Sequence, residues 1–309
     1  MQFAKPLLTS FFMVALAAIV APSVDQDQAV ALMRTFKSEP VDLKFKATHA
    51  ESYTIEGDPK SSLKYHGDAM FAASVNAAAE AGAFAVRPTF GAFSTSWWEG
   101  GAKEPFQANT VSGPAKVTFK ETARLLNDRV LDAPTGFPDT LGADWYSSTE
   151  SLARRVARAL SAADGPFALQ TRLNFAFPPL PPGPVAKGAR FDADYVAGYF
   201  GREAQVQVFY ASVVDSVNDK TVVLKQSGAA QLVKFPQPAS RRSDGLTFEV
   251  LQDRSTFAAT VEISRADGAV KQRDGELTVI VKATDSAKPA QPPVFVTAKI
   301  WTKLERQGD

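Results

Sequence analysis

Two histidines, His49 and His66, are the only imidazoles in the chain. Acid–base chemistry near neutral pH would fall to them first. His49 stands in Ala47-Thr48-His49-Ala50-Glu51 and His66 in Lys64-Tyr65-His66-Gly67-Asp68. A serine hydrolase holds one histidine between an acid and a nucleophile, and no Gly-x-Ser-x-Gly elbow accompanies either one. No His-Glu-x-x-His pair marks a zinc helix. Both histidines therefore read as ordinary residues on strand faces.

Other groupings fare no better. Ser61-Ser62-Leu63-Lys64 matches Ser-x-x-Lys, but that nucleophile motif sits on a helix and needs a Lys-Thr-Gly elsewhere, which the chain lacks. Asp192 and Asp194 would share a strand face, yet calcium takes six to eight oxygens, usually from a tight loop. No Walker loop or Gly-x-Gly-x-x-Gly fingerprint occurs. With 33 acidic residues a hydrolytic carboxylate pair stays open, although none stands out. The expectation is no enzyme, no cofactor and no metal. What remains is aromatic: Phe90, Phe93, Trp97 and Trp98 form the candidate ligand-binding set. Adjacent tryptophans on a strand point to opposite faces, so at most one joins a core and the other meets solvent or lines a groove.

Composition narrows the function classes. There is no cysteine, which removes thiol catalysis, thiolate zinc sites and disulfides, so stability must come from an ordinary core. The chain carries 34 basic and 33 acidic residues, without the basic stripe that phosphate binding needs, so nucleic acid is not an expected partner. Phenylalanine is abundant, with 22 copies against 6 Tyr and 4 Trp, which suits a broad apolar interior or an apolar groove.

The elements that must position these residues begin with a secretory signal. Lys5, an apolar run from Leu7 to Val20, and small residues at Ala21 and Ser23 give the charged, apolar and small-residue order of a signal peptide over residues 1–23. Cleavage after Ser23 competes with cleavage after Ala17. The run is shorter than the about 20 residues of a membrane span, and no second long apolar stretch follows, so the mature form is expected to be periplasmic or extracellular and not membrane-spanning.

Residues 24–40 read as a leader segment. From residue 41 the pattern has period two: Leu43, Phe45 and Ala47 alternate with Lys44, Lys46 and Thr48. Leu63 to Val75 alternates again, with a helical alternative over 69–81 where alanine is dense. Val117 to Leu131 divides between a strand pair and a helix. Ser147 and Glu150 form a capping box ahead of Leu152, Val156, Ala159, Leu160 and Ala163, predicting an amphipathic helix near 148–163. Five prolines within residues 178–184 exclude a helix or central strand and mark a connector over 177–189. Thereafter come a hairpin turning at Asn218-Asp219, Asp-Gly turns at Asp267-Gly268 and Asp274-Gly275, and a last alternating strand over Val294 to Leu304.

The segment Leu180-Pro181-Pro182-Gly183-Pro184-Val185-Ala186-Lys187-Gly188-Ala189-Arg190-Phe191 resembles a family of exported bacterial β-rich proteins without assigned function. In that family an aromatic follows the glycine; here it is Phe191. The Ile263 to Gly268 hairpin and the final strand fit the same pattern. The resemblance covers about the last 130 residues and implies a curved antiparallel sheet similar to the half-barrels of periplasmic lipoprotein carriers. It brings no catalytic residues.

The expected fold is mainly β: curved antiparallel sheets, tandem and half-barrel-like, with one or two amphipathic helices. A β-rich half over 41–176 is expected to lead through the connector to an antiparallel half over 190–309. The expected function is an exported, non-enzymatic protein whose concave sheet face binds an apolar or lipid-like ligand. The alternative is a cell-envelope structural or interaction protein that binds polysaccharide or another protein.

Overall fold

The structure, a computed structural model, describes residues 29–77, 83–105, 107–114, 117–120, 130–131, 173–181, 183–200, 204–234, 246–285 and 290–308. The strands are β1 Val41–Ile55, β2 Asp58–Ala77, β3 Ala83–Glu99, β4 Gln107–Pro114, β5 Val117–Lys120, β6 Val130–Leu131, β7 Arg190–Phe200, β8 Ala204–Val217, β9 Thr221–Lys234, β10 Leu246–Val250, β11 Thr256–Ser264, β12 Val270–Asp285 and β13 Val294–Gln307.

They form one antiparallel sheet in the order β6-β5-β3-β2-β1-β13-β12-β11-β9-β8-β7, with β10 on β12 and β4 on β3. Among the described residues the sheet does not close into a barrel. The expected antiparallel β fold holds, as one continuous sheet rather than two. The join is made by β1 and β13, which pair over twelve positions from Lys44↔Gln307 to Ile55↔Val296.

The period-two pattern decides which face is buried. On β1, Leu43, Phe45, Ala47, His49, Glu51 and Tyr53 all face inward. On β13, Val296, Ala298, Ile300 and Leu304 do so. Phe71, Ala73 and Val75 of β2 are buried in the same face, and β2 pairs with β1 on one side and β3 on the other, so the helical alternative over 69–81 gives way to a ladder through Ala77. Over 117–131 the described residues resolve as a strand pair, β5 against β6. The helix expected near 148–163 lies outside the described residues, as does the signal peptide.

One expected turn is absent. Asp274 and Gly275 lie inside β12, not in a hairpin. Gly275 faces inward opposite Ala259, whose Cβ would stand 3.0 Å from a Cβ placed there. This glycine serves close strand packing rather than chain reversal. The true reversals include Glu56-Gly57 and Asp267-Gly268, where the glycines take φ of 80° and 70°.

The sheet curls strongly. In its order β1 and β7 stand six strand steps apart, about 29 Å if flat. Yet His49 of β1 and Tyr195 of β7 line one small cavity, and the rings of Tyr195 and Phe257 of β11 meet at 5.6 Å.

The hollow of the curl is filled by chain outside the sheet. Leu173–Ala176 form a single helical turn closed by Phe177 N–H donating to Leu173 O at 2.8 Å. Leu173, Ala176 and Phe177 are fully buried. Phe177 meets Phe45 at 6.1 Å and Phe84 at 5.7 Å; burying a side chain of this size contributes about 1.5–3 kcal/mol. Beside it, Val30 and Val185 exchange two backbone hydrogen bonds of 2.8 and 2.7 Å. Arg34 donates to the carbonyls of Pro178 and Gly268 while its guanidinium lies 5.2 Å over the Phe84 ring.

Candidate functional site

Strand alternation sorts the candidate residues onto two faces. Trp97 turns inward, is fully buried, and packs on Tyr65 at 4.7 Å between centroids. Trp98 turns outward and is half-buried. Phe90 and Phe93 belong to β3 in register with Phe71 and Ala69, and their side chains lie outside the described residues. Trp97 and Trp98 therefore do not share one ligand surface, because they occupy opposite sides of the sheet.

The histidines separate in the same way. His66 is exposed on the outer face and pairs with Asp68 at 3.0 Å. Burial would raise the Asp68 carboxyl, but hydrogen bonds from Thr48 and His66 outweigh it and hold the carboxyl below its usual range. His49 is buried, with Nε2 2.5 Å from Glu51 Oε1, and the Tyr53 hydroxyl donates to Glu51 Oε2 at 2.7 Å. Burial first, then the charge of Glu51, pushes the Tyr53 phenol well above its usual range. The residues His49, Glu51 and Tyr53 are consecutive inward positions of one strand. The sequence signal was visible: three polar groups at i, i+2 and i+4 that continue an apolar face.

An acid beside a histidine is half of a hydrolytic arrangement. Here the recorded hydrogen bond of His49 goes to Glu51. Thr302, its cross-strand neighbour, lines the same cavity without a hydrogen bond to it. Ser61 and Lys64 lie on β2, and Lys64 faces solvent, so the Ser-x-x-Lys match has no helix to present it. Asp192 is exposed, while Asp194 is buried and accepts from Gln207; burial raises its carboxyl against that hydrogen bond. Among the described residues no three acidic or imidazole groups gather to hold a metal ion.

The residue that sequence reasoning missed is Arg273. Its position in β12 follows the inward rhythm of Arg273, Gly275, Leu277 and Val279. The side chain is buried, and its guanidinium lies 4.1 Å over the Phe175 ring and 5.7 Å over Phe257. Nη1 donates to Gln226 Oε1 at 2.9 Å, and Gln226 passes a hydrogen bond of 3.2 Å to Ser212. Nε has no acceptor. Burial lowers the guanidinium pKa, opposed by the neighbouring Tyr195 and Tyr210.

Next to this group a cavity of ≈ 20 Å³ is lined by His49, Phe175, Tyr195, Phe257, Leu277 and Ile300, among others. That volume admits about one water molecule.

On the outer face, Trp98 borders a groove of ≈ 410 Å³ that also takes in Lys64, Ser52, Lys299 and Trp301. Trp301 points outward because Ile300 points in, and its indole N–H donates to Asp274 Oδ1 at 2.8 Å.

No family model matches the chain, and no curated protein matches it. Among solved structures it is similar to lipovitellin, in a structure concerned with its lipid–protein interactions. The TM-score is 0.43 and the identity 12%, over 88% of this chain and 26% of that one. The chain thus spans about a quarter of that protein's length. It is also similar to DynF from the dynemicin biosynthesis pathway of Micromonospora chersina (TM-score 0.22, 10% identity, 98% of this chain and 92% of that one). A third is the outer membrane protein opdK from Pseudomonas aeruginosa (TM-score 0.26, 8% identity, 86% and 99%). None of the three is close enough to lend this chain a function.

Proposed function

We propose that this chain is an exported, non-enzymatic binding protein whose curled inner face takes an amphipathic ligand: an apolar chain ending in an anionic head. Arg273 carries the reading. Taking a charge out of water costs several kcal/mol even after relaxation, on the order of what a buried pair must recover. Among the described residues no carboxylate hydrogen-bonds this guanidinium; it contacts an amide oxygen and two aromatic rings, while Tyr195, Tyr210 and Asp274 act on it only through space. A ligand carboxylate or phosphate would supply a directly bonded counter-charge through the planar donor fork of arginine. Phe175, Tyr195, Phe257, Leu277 and Ile300 would surround the chain behind it.

The cavity as it stands is too small for such a chain. Phe175 is the residue that must yield. It stands on the single helical turn Leu173–Ala176, outside the sheet, so its displacement opens the interior without breaking a ladder hydrogen bond. Export rests on the order of charge, apolar run and small residues in 1–23, and implies that purified mature protein begins near residue 24. A hydrolase is disfavoured by His49, which is engaged with Glu51 rather than with a nucleophile.

The test is native mass spectrometry, with organic extraction, on mature protein from the exported fraction. A discrete extractable mass is expected. The emptied protein should then retain oleate better than oleyl alcohol, and Arg273→Gln should erase that preference. Bare protein at the cleaved mass that takes up neither probe overturns the proposal.

A further inference from the structure

We infer that the outer face of the sheet holds a second, separate site, in which a groove between Trp98 and Trp301 binds an acidic oligosaccharide. The register builds it. Trp98 of β3 stands opposite Lys64 of β2, Lys64 opposite Ser52 of β1, and Ser52 opposite Lys299 of β13. Two residues along, the next outward row runs His66, Ala50, Trp301. The small residues Ser52 and Ala50 thus form a floor, and an indole rises at either end. Three strand steps separate the two tryptophans, about 14 Å across the sheet. The result is the ≈ 410 Å³ groove.

Its walls and charges fit one chemistry. An indole is a large, rigid surface with a polar edge, suited to the C–H faces of sugar rings while leaving hydroxyls wet. Trp301 is already held in place by its hydrogen bond to Asp274, so little ordering is left for binding. Lys64 and Lys299 flank Ser52 about 10 Å apart, two strand steps. Neither has a carboxylate partner among the described residues, whereas His66 is engaged by Asp68. Of the two glutamates along the groove, Glu51 turns its carboxylate inward to His49 and Tyr53, and Glu276 sits beyond Trp301, opposite it on β12. Two unpaired ammonium groups over the floor suit carboxylate, sulfate or phosphate groups carried on successive sugars. A lipid surface would need a continuous apolar face instead, and here the space between the indoles is filled by a hydroxyl and two ammonium groups.

The test uses the full mature protein and three probes: a galacturonic acid hexamer, maltohexaose, and phosphatidylglycerol vesicles. Tryptophan fluorescence and calorimetry are expected to show binding of the acidic hexamer that weakens with salt, and much weaker binding of maltohexaose. Trp301→Ala should weaken the acidic hexamer about tenfold or more. The Lys64→Gln, Lys299→Gln double variant should do the same while reducing the salt dependence; it keeps the test decisive should Trp301→Ala fail to fold. Arg273→Gln should leave hexamer binding unchanged, which separates this site from the inner one. Binding to vesicles alone, no binding of the hexamer, or full binding by the folded lysine variant overturns the inference.

Discussion

The Tyr53 hydroxyl donates to Glu51 Oε2 over 2.7 Å, on the inner face of the strand that joins the two ends of the chain into one sheet. Glu51 therefore stands at the centre of a polar row in an apolar interior, with His49 on its other oxygen at 2.5 Å. Leaving buried hydrogen-bonding groups without their partner costs about 1–3 kcal/mol, more where a charged group is involved. Glu51→Ala is expected to lose that order of stability in urea unfolding, and Glu51→Gln less, since an amide still accepts from Tyr53. A wild-type midpoint for Glu51→Ala would show that the row holds nothing together.

Ser255 makes a sharper case from a neutral group. It is buried, donates to Leu251 O at 2.7 Å, and accepts from the Ile280 N–H at 3.2 Å. Ser255→Ala strands a buried backbone donor, a loss of about 1–3 kcal/mol. Thermal unfolding of Ser255→Ala beside Ser255→Cys, which replaces the hydroxyl with a weakly hydrogen-bonding thiol, reads it: the alanine variant should melt lowest, and a wild-type melting temperature for it would refute the bond.

Gly228 tests how closely the strands pack. A Cβ there would run into the Phe209 carbonyl oxygen and lie 2.7 Å from Tyr210 Cα, on the adjacent strand. Gly228→Ala should cost about 1–3 kcal/mol or more, the range for overpacking. Gly183→Ala, which meets nothing within 4 Å, is the control and should stay within about 0.5 kcal/mol. Equal denaturation midpoints for the two variants would refute the close approach.

Asp194 sets a pH dependence. Burial raises its carboxyl above the usual range, against the Gln207 hydrogen bond. The folded chain then holds this proton more tightly than the unfolded one. The contribution is complete below the ordinary carboxylate value of about 3.9 and is lost as pH rises through the raised value. Relative to Asp194→Asn, the wild type should therefore lose stability as pH climbs from about 4 towards neutrality. Melting temperatures of both proteins across that interval check it; parallel curves would contradict the assignment.

Period-two alternation made much of the sheet legible: Leu43, Phe45 and Ala47, or Val296, Ala298 and Ile300, declare a buried face by spacing alone. The same rule separates Trp97 from Trp98, because neighbouring strand residues cannot share a face. Asp274-Gly275 misled, since an Asp-Gly pair signals a turn locally, while the inward need of Gly275 for closeness is set by Ala259 on β11, sixteen residues earlier.

What the sequence by itself determined was the strand class, the cysteine-free core, and the lack of a familiar catalytic signature. These follow from residue type and local period. Only the tertiary structure decided that β1 pairs with β13, that the sheet curls until His49 and Tyr195 line one cavity, and that Arg273 is buried over Phe175 with no carboxylate hydrogen-bonded to it among the described residues. It likewise brought Trp98 and Trp301, 203 positions apart in the chain, to the two ends of one groove. Register and curl arise from pairing between distant segments, and local spacing holds no record of which distant strand will be the partner.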